Sequence, residues 1–261
     1  MMKNVALITG ASSGIGKELA IIHAGNKGDL ILVARREKAL QELKTMLEKQ
    51  YGVQVKIIAA DLTHPQAPQE VYDTVAKEGI VPDILINNAG FGGIGKFWER
   101  PVESDLDMIR LNILALTWLT RLFLPDFVKR GSGRILNVSS TASLVPGPLQ
   151  AVYYATKAYV TSFSNALSEE LRNTGVTITS LMPGATDTEF GKVSGMDKTV
   201  LFDKTASART VAEAGYKAMI KGKMNVISGV APLQKMMFFF LPFTPKKIAL
   251  RQVRKMQEVK N

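Results

Sequence analysis

Short apolar runs alternate with amphipathic stretches from Val5 almost to the end of the 261-residue chain, and no other feature narrows the choice of fold so far. A strand that must lie parallel to the one before it can be reached only through a crossover, normally a helix. The alternation has that form. Strands are expected at residues 5–9, 29–34, 54–60, 84–87, 134–139, 177–182 and 225–228, and helices at 15–25, 37–50, 65–78, 102–129, 151–173 and 208–222. With no internal repeat and no low-complexity linker, this predicts a single α/β domain: a doubly wound parallel sheet of about seven strands with helices on both faces.

Composition excludes several function classes. The chain is 46% hydrophobic and 21% charged, as in a globular protein, and it has no cysteine, which rules out disulfides and thiolate metal sites. His23 and His64 stand without partners at metal-ligand spacing, so no metal is expected. After Asn4 the chain enters an apolar run at once, leaving no room for a signal peptide, and a cytoplasmic protein is expected. The longest apolar run, 236–243, has eight residues and contains Pro242, whereas a spanning helix needs roughly 20. The formal charge is +10, and residues 235–261 hold seven Lys or Arg against Glu258 alone. That tail lacks interleaved aromatics or a reading helix, so nucleic acid is not an expected partner. An anionic membrane surface or a second subunit is.

The first turn, residues 9–16 (TGASSGIG), falls between a strand and a helix. There, backbone N–H groups and the helix dipole can hold a pyrophosphate, and glycines let the backbone come close. This makes the sheet a Rossmann-type dinucleotide-binding fold. At the end of the second strand a cofactor without a 2′-phosphate would meet a carboxylate, but this chain has Ala34-Arg35-Arg36. An arginine fork suits a phosphate, so NADP(H) is favoured over NAD(H). Asp61 ends the third strand, either accepting from an adenine amino group or closing a turn before Pro65. Asn87-Asn88-Ala89-Gly90 ends the fourth with small polar residues suited to lie under an adenosine.

Tyr153 and Lys157 are four apart, hence on one face of a helix, and an ammonium beside a phenol favours the phenolate. Such a phenol can exchange a proton with a carbonyl or an alcohol. Tyr154 shares that side of the helix, so spacing alone leaves either tyrosine open. Asn112 interrupts an apolar helix and must find buried partners. Pro183-Gly184-Ala185-Thr186-Asp187-Thr188 reads as a second close-approach turn, and the polar, poorly periodic stretch to Lys204 as a mobile substrate lid at about 188–207.

Taken in order, TGxxxGxG at 9–16, NNAG at 87–90, Asn112, Ser140, YxxxK at 153–157 and Pro183-Gly184 resemble the short-chain dehydrogenase/reductase family over residues 5–228. The resemblance implies reversible hydride transfer between a nicotinamide and a carbonyl or alcohol carbon of a small molecule, with NADPH-dependent reduction of a hydrophobic ketone or aldehyde expected. It gives Tyr153 the role of general acid or base and pairs it with Ser140, which holds the substrate oxygen. Lys157 would hold the nicotinamide ribose, and Asn112 would anchor a water relay. Gly10, Ser12, Ser13, Gly14, Ile15, Gly16, Arg35, Asp61, Leu62, Asn88, Ala89 and Gly90 match the positions around adenosine and phosphates; Pro183, Gly184 and Thr188 match those near the nicotinamide. A homodimer or homotetramer is expected, built on the apolar helices that carry Asn112 and Tyr153. Residues 1–228 form the catalytic domain on this reading. The hydrophobic, then basic, extension at 229–261 departs from the family's usual short ending and packs on or beside that domain. A catalytically minor nucleotide-sensing protein that docks at a partner or membrane through this basic tail is the alternative.

Overall fold

The computed structural model describes residues 2–240 and 244–258; Leu241, Pro242 and Phe243 of the apolar run, and Val259, Lys260 and Asn261 at the basic end, lie outside the described residues. The strands are β1 (Ala6–Thr9), β2 (Leu30–Ala34), β3 (Val55–Ala59), β4 (Ile84–Asn87), β5 (Gly133–Val138), β6 (Val176–Pro183), the two-residue β7 (Thr186–Asp187) and β8 (Ala206–Ser207), and β9 (Asn225–Ser228). Seven of them form one parallel sheet in the order β3-β2-β1-β4-β5-β6-β9, and β7 pairs with β8 in a separate ribbon. Each of the seven main strands is found within a residue or two of its expected place.

The alternation of side chains along each strand sorts the core into two layers. Ala6 and Ile8 of β1 face α1 (Gly14–Gly25), α2 (Glu37–Tyr51) and, further along the sheet, α8 (Ala208–Ile220), through Leu19, Leu43, Leu47, Val211 and Met219. Val5 and Leu7 face the other way, toward α3 (Ala67–Lys77) and the long helix beside it, through Val71, Val75, Leu119, Phe123 and Phe127. That helix is one run from α4 (Val102–Ile109) through six residues of π-helix, Arg110–Ala115, into α5 (Leu116–Arg130). By length and composition it could cross a membrane. Phe123 and Phe127, 2% and 0% exposed, instead bury it against β1, β4 and β5, so it is a core helix.

His23, solitary in the sequence, is fully buried in α1. Its Nε2 lies 2.7 Å from the Asn4 carbonyl, to which it must donate, and its Nδ1 lies 2.9 Å from the Tyr216 hydroxyl, which it accepts. Burial pushes the imidazole below its ordinary value despite the Asn4 bond. It is a neutral clip joining the start of the chain to α8, and no other His, Cys, Asp or Glu joins it in a metal-holding group among the described residues.

Candidate active site

The carboxyl ends of the strands open into one cavity of about 910 Å³. It lies where the strand order reverses between β1 and β4, the place where open α/β sheets hold their ligands. Gly10 (φ +65°) and Gly14 (φ +54°) carry the first turn through left-handed backbone. A Cβ on Gly10 would come within 2.8 Å of Asn88 Nδ2, so the loop after β4 rests directly on the turn. Thr9 stitches the two together: its Oγ1 accepts from the backbone N–H of Asn88 and of Ala89, each at 3.0 Å. Gly10, Ser12, Ser13, Gly14, Ile15, Leu62, Asn88, Ala89 and Gly90 line the cavity, as do Pro183, Gly184 and Thr188. Gly16 does not. It is buried beneath the turn, where a Cβ would strike Asn88 Nδ2 and Gly10 O, so only glycine lets the turn close on the loop after β4.

Arg35 and Arg36 both line the cavity and then diverge. Arg35 is largely exposed, 3.8 Å from Asp61. Asp61 accepts from the Thr63 N–H at 3.0 Å and the Thr63 hydroxyl at 2.8 Å. Burial pushes the Asp61 carboxyl up, but Thr63 and Arg35 together outweigh it and leave the group below its ordinary value. Arg36 folds back over the glycine turn, donating to Ser12 Oγ at 3.2 Å and to Glu189 at 3.0 Å. Its bond holds Glu189 below the usual carboxylate value, with help from Ser13. The sequence placed Arg36 in the fork but gave no sign of Glu189, because 153 residues separate the partners.

Ser140 follows β5, and its Oγ accepts from the Ala142 N–H at 3.1 Å and donates to the Pro183 carbonyl at 3.4 Å. Tyr153, near the start of α6 (Ala151–Glu170), is 6% exposed and hydrogen-bonded to Ser140. Lys157 Nζ donates to the Val138 carbonyl at 2.9 Å and stands 5.9 Å from the Tyr153 ring centroid. Burial pushes the phenol up to about 12, against the pull of its Ser140 bond, and pushes Lys157 down to about 8. The expected lowering of the phenol is therefore reversed in the chain by itself: desolvating a phenolate costs more than the Ser140 hydroxyl returns.

The neighbouring pair is engaged elsewhere. Ser139 Oγ donates to the Lys157 carbonyl at 2.9 Å and meets Thr161 Oγ1 at 2.7 Å. Tyr154 Oη accepts from Gln257 Nε2 at 2.6 Å. Gly147 has no Cβ because the Tyr154 ring fills that space, so the loop 146–148 is shaped around Tyr154. Asn112, within the π-helical turn, donates from Nδ2 to the Phe91 carbonyl at 2.9 Å and to Thr156 Oγ1 at 3.1 Å, and accepts from the Phe91 N–H at 3.1 Å. It pins the loop after β4 to the catalytic helix from behind the cavity wall. Below it, a chain invisible in the sequence runs from Thr120 through Asn87 and Asn137 to Ser164, fixing β4 and β5 relative to α5 and α6.

Two segments cover the cavity. After β7 come α7 (Glu189–Ser194) and two 3-10 turns, Met196–Lys198 and Val200–Phe202, closed by the β7–β8 ribbon. The stretch read as a substrate lid is folded into short helical turns, with Ser194, Met196 and Thr199 buried and Phe190 set 5.4 Å from the Tyr153 ring. The second segment is α9 (Pro232–Phe240) and α10 (Lys246–Gln257), whose Met237, Phe238, Ala249, Val253 and Met256 line the same cavity.

A glycine-shaped cradle with cationic donors at one end and a buried phenol, hydroxyl and ammonium at the other defines a nucleotide-dependent oxidoreductase site on a Rossmann-type sheet. The short chain dehydrogenase family model matches residues 4–199. The very-long-chain 3-oxoacyl-CoA reductase of Anas platyrhynchos is 30% identical over 266 residues, 98% of this chain and 84% of that protein. The NADP-dependent 3-hydroxy acid dehydrogenase of Schizosaccharomyces pombe is 38% identical over 189 residues, 72% of this chain and 73% of that one. Among solved structures, a short-chain dehydrogenase from Sphingobium yanoikuyae in complex with NADPH superposes with a TM-score of 0.83 at 31% identity, covering 99% of each chain. The chain belongs to the short-chain dehydrogenase family, and it is an oxidoreductase.

Proposed function

We propose that the chain reduces the carbonyl of a hydrophobic ketone or aldehyde at the expense of NADPH. One observation carries the reading: both adjacent serine–tyrosine pairs line the cavity with Lys157, but the Tyr154 hydroxyl is taken by Gln257 and Ser139 by the Lys157 carbonyl, whereas the buried Tyr153 hydroxyl has Ser140 beside it. Arg35 and Arg36 supply planar cationic donors for a 2′-phosphate, in keeping with the names of the yeast relative and the Sphingobium complex. A nucleotide sensor has no use for Ser140, Tyr153 and Lys157, and that alternative is unsupported.

NADPH would lie with its phosphates on the glycine turn and its nicotinamide ribose by Lys157, and when bound it supplies the hydride. The other steps belong to the chain. Ser140 donates a hydrogen bond to the carbonyl oxygen, raising the electrophilicity of its carbon. Tyr153 gives its proton to that oxygen as the alcohol forms, leaving a phenolate that the Lys157 ammonium stabilises. A phenol held near 12 is fully protonated at neutral pH, the form that reduction consumes. Phe190, Val253 and the lid exclude water. Incubation with NADPH and a panel of ketones and aldehydes should consume the reduced nicotinamide; a protein that binds NADPH and turns over none of them would contradict the reading.

Two contacts belong to the same proposal. Leu106, Leu114 and Tyr159, exposed on the long helix and α6, are the face through which a second copy docks. Leu233, Met236, Met237 and Phe240 are exposed at helical spacing on α9, the last three while also lining the cavity, and beside the basic α10 they would touch anionic lipid.

A further inference from the structure

Tyr154 adjoins the proposed acid and lines the same cavity, yet its hydroxyl is already engaged. It accepts a 2.6 Å bond from Gln257, the last residue of α10, 103 positions along the chain and 1% exposed. One helical turn earlier, Val253 packs in one cluster with Tyr153, Tyr154, Met108 and Ala142. Ala249, a turn before that, is also buried, so α10 has one continuous buried face at Ala249, Val253 and Gln257, of which Val253 and Gln257 meet α6. The cavity side of that helix is Ala249, Gln252, Val253 and Met256. Around the reacting oxygen the polar groups are Ser140 and Tyr153, and beyond them the wall contributed by α9 and α10 is mainly methionine, phenylalanine, valine and alanine, with Gln234 and Gln252 as its polar members. Such a mainly apolar, uncharged wall favours an apolar arm and offers it adaptable surface.

We propose that the Tyr154–Gln257 hydrogen bond locks α10 over the active site as the outer wall of the substrate pocket, and that this wall selects ketones carrying a long, unbranched apolar arm. The inference rests on the carbonyl-reduction reading and adds to it two positioning residues and a substrate class. Gln257 is an expensive way to fill core space, since a buried amide must be bonded; an apolar side chain would have packed there without a partner. The bond fixes the helix in one place, so that Val253 and Met256 stand at a set distance from Tyr153.

The test uses the full-length protein with NADPH and a homologous series of straight-chain methyl ketones. Burial of each added methylene against the α10 wall should raise kcat/KM by about fourfold until the pocket is filled, chiefly through KM. Gln257→Leu and Tyr154→Phe should each flatten that dependence and leave the Kd for NADPH unchanged. The double variant Tyr154→Phe/Gln257→Met, which removes both polar partners together and leaves neither unpaired, should restore it. A general loss of fold would lower kcat for every ketone by one factor and would not be rescued in this way. An unchanged slope in Gln257→Leu, or a loss equal across the series, overturns the lock. A wild-type protein that reduces short and long ketones equally overturns the wall but leaves carbonyl reduction standing; one that reduces none overturns both.

Discussion

Tyr153 and Tyr154 are chemically the same and adjacent, and the fold separates them by giving one a partner. The helical spacing to Lys157 was legible in the sequence and pointed to one side of a helix, and the family pattern chose Tyr153. Neither showed that the Tyr154 hydroxyl is engaged elsewhere, because its partner Gln257 lies in a helix at the far end of the chain. The acidity of the phenol was misjudged for a related reason: spacing reports the nearby ammonium, whereas burial depends on everything packed around it. His23 makes the same point away from the site. Its folded-state value lies below the ordinary one of about 6.5, so the unfolded chain binds the proton more readily. Stability is therefore complete above about pH 6.5 and falls as the pH drops below it, until the native imidazole itself takes a proton. Thermal melts should show a steeper loss between neutral pH and about pH 5 for the wild type than for His23→Gln; parallel curves would remove His23 from the account.

At the scale of elements, the sheet and its helices were readable because each strand carries its own apolar run and each helix its own period. The π-turn at Arg110–Ala115, the β7–β8 ribbon and the folded lid were not, since they are set by contacts to other segments rather than by local pattern. The loop after β2 lies between these cases. Two arginines were visible, but the structure shows that they do different work, Arg35 facing Asp61 and Arg36 reaching Ser12 and Glu189. A charge-assisted bond to phosphate is worth about 1.5–3 kcal/mol. Arg35→Ser and Arg36→Ser should each weaken NADPH roughly 10- to 100-fold while changing NADH little, as read by fluorescence titration of both cofactors. Equal losses for the two would show that the arginines do not read the 2′-phosphate.

At the scale of the whole molecule, the cavity is assembled from both ends of the chain: a cradle from its first 90 residues, the Ser140, Tyr153 and Lys157 group from its middle, and a roof from α10. The C-terminal segment read from composition alone was a greasy run followed by a basic one; the fold turns it into a wall of the cavity in which Met236, Met237 and Phe240 also stay exposed. The apolar residues left exposed on the long helix and α6 call for a partner. Sedimentation should give twice the mass of one chain, and Leu114→Glu with Tyr159→Glu should reduce it to one; a wild-type monomer at micromolar concentration would refute the docking face.

The central claim is that Tyr153 alone delivers the proton. Replacing it by phenylalanine removes a hydroxyl and nothing else, and general acid catalysis typically supplies about 100- to 10,000-fold in rate. Tyr153→Phe should lower kcat for NADPH-dependent ketone reduction by that factor while the Kd for NADPH stays near the wild-type value, with Tyr154→Phe retaining turnover of the shortest reactive ketone. Full turnover by Tyr153→Phe, or a matching collapse in Tyr154→Phe, would contradict it.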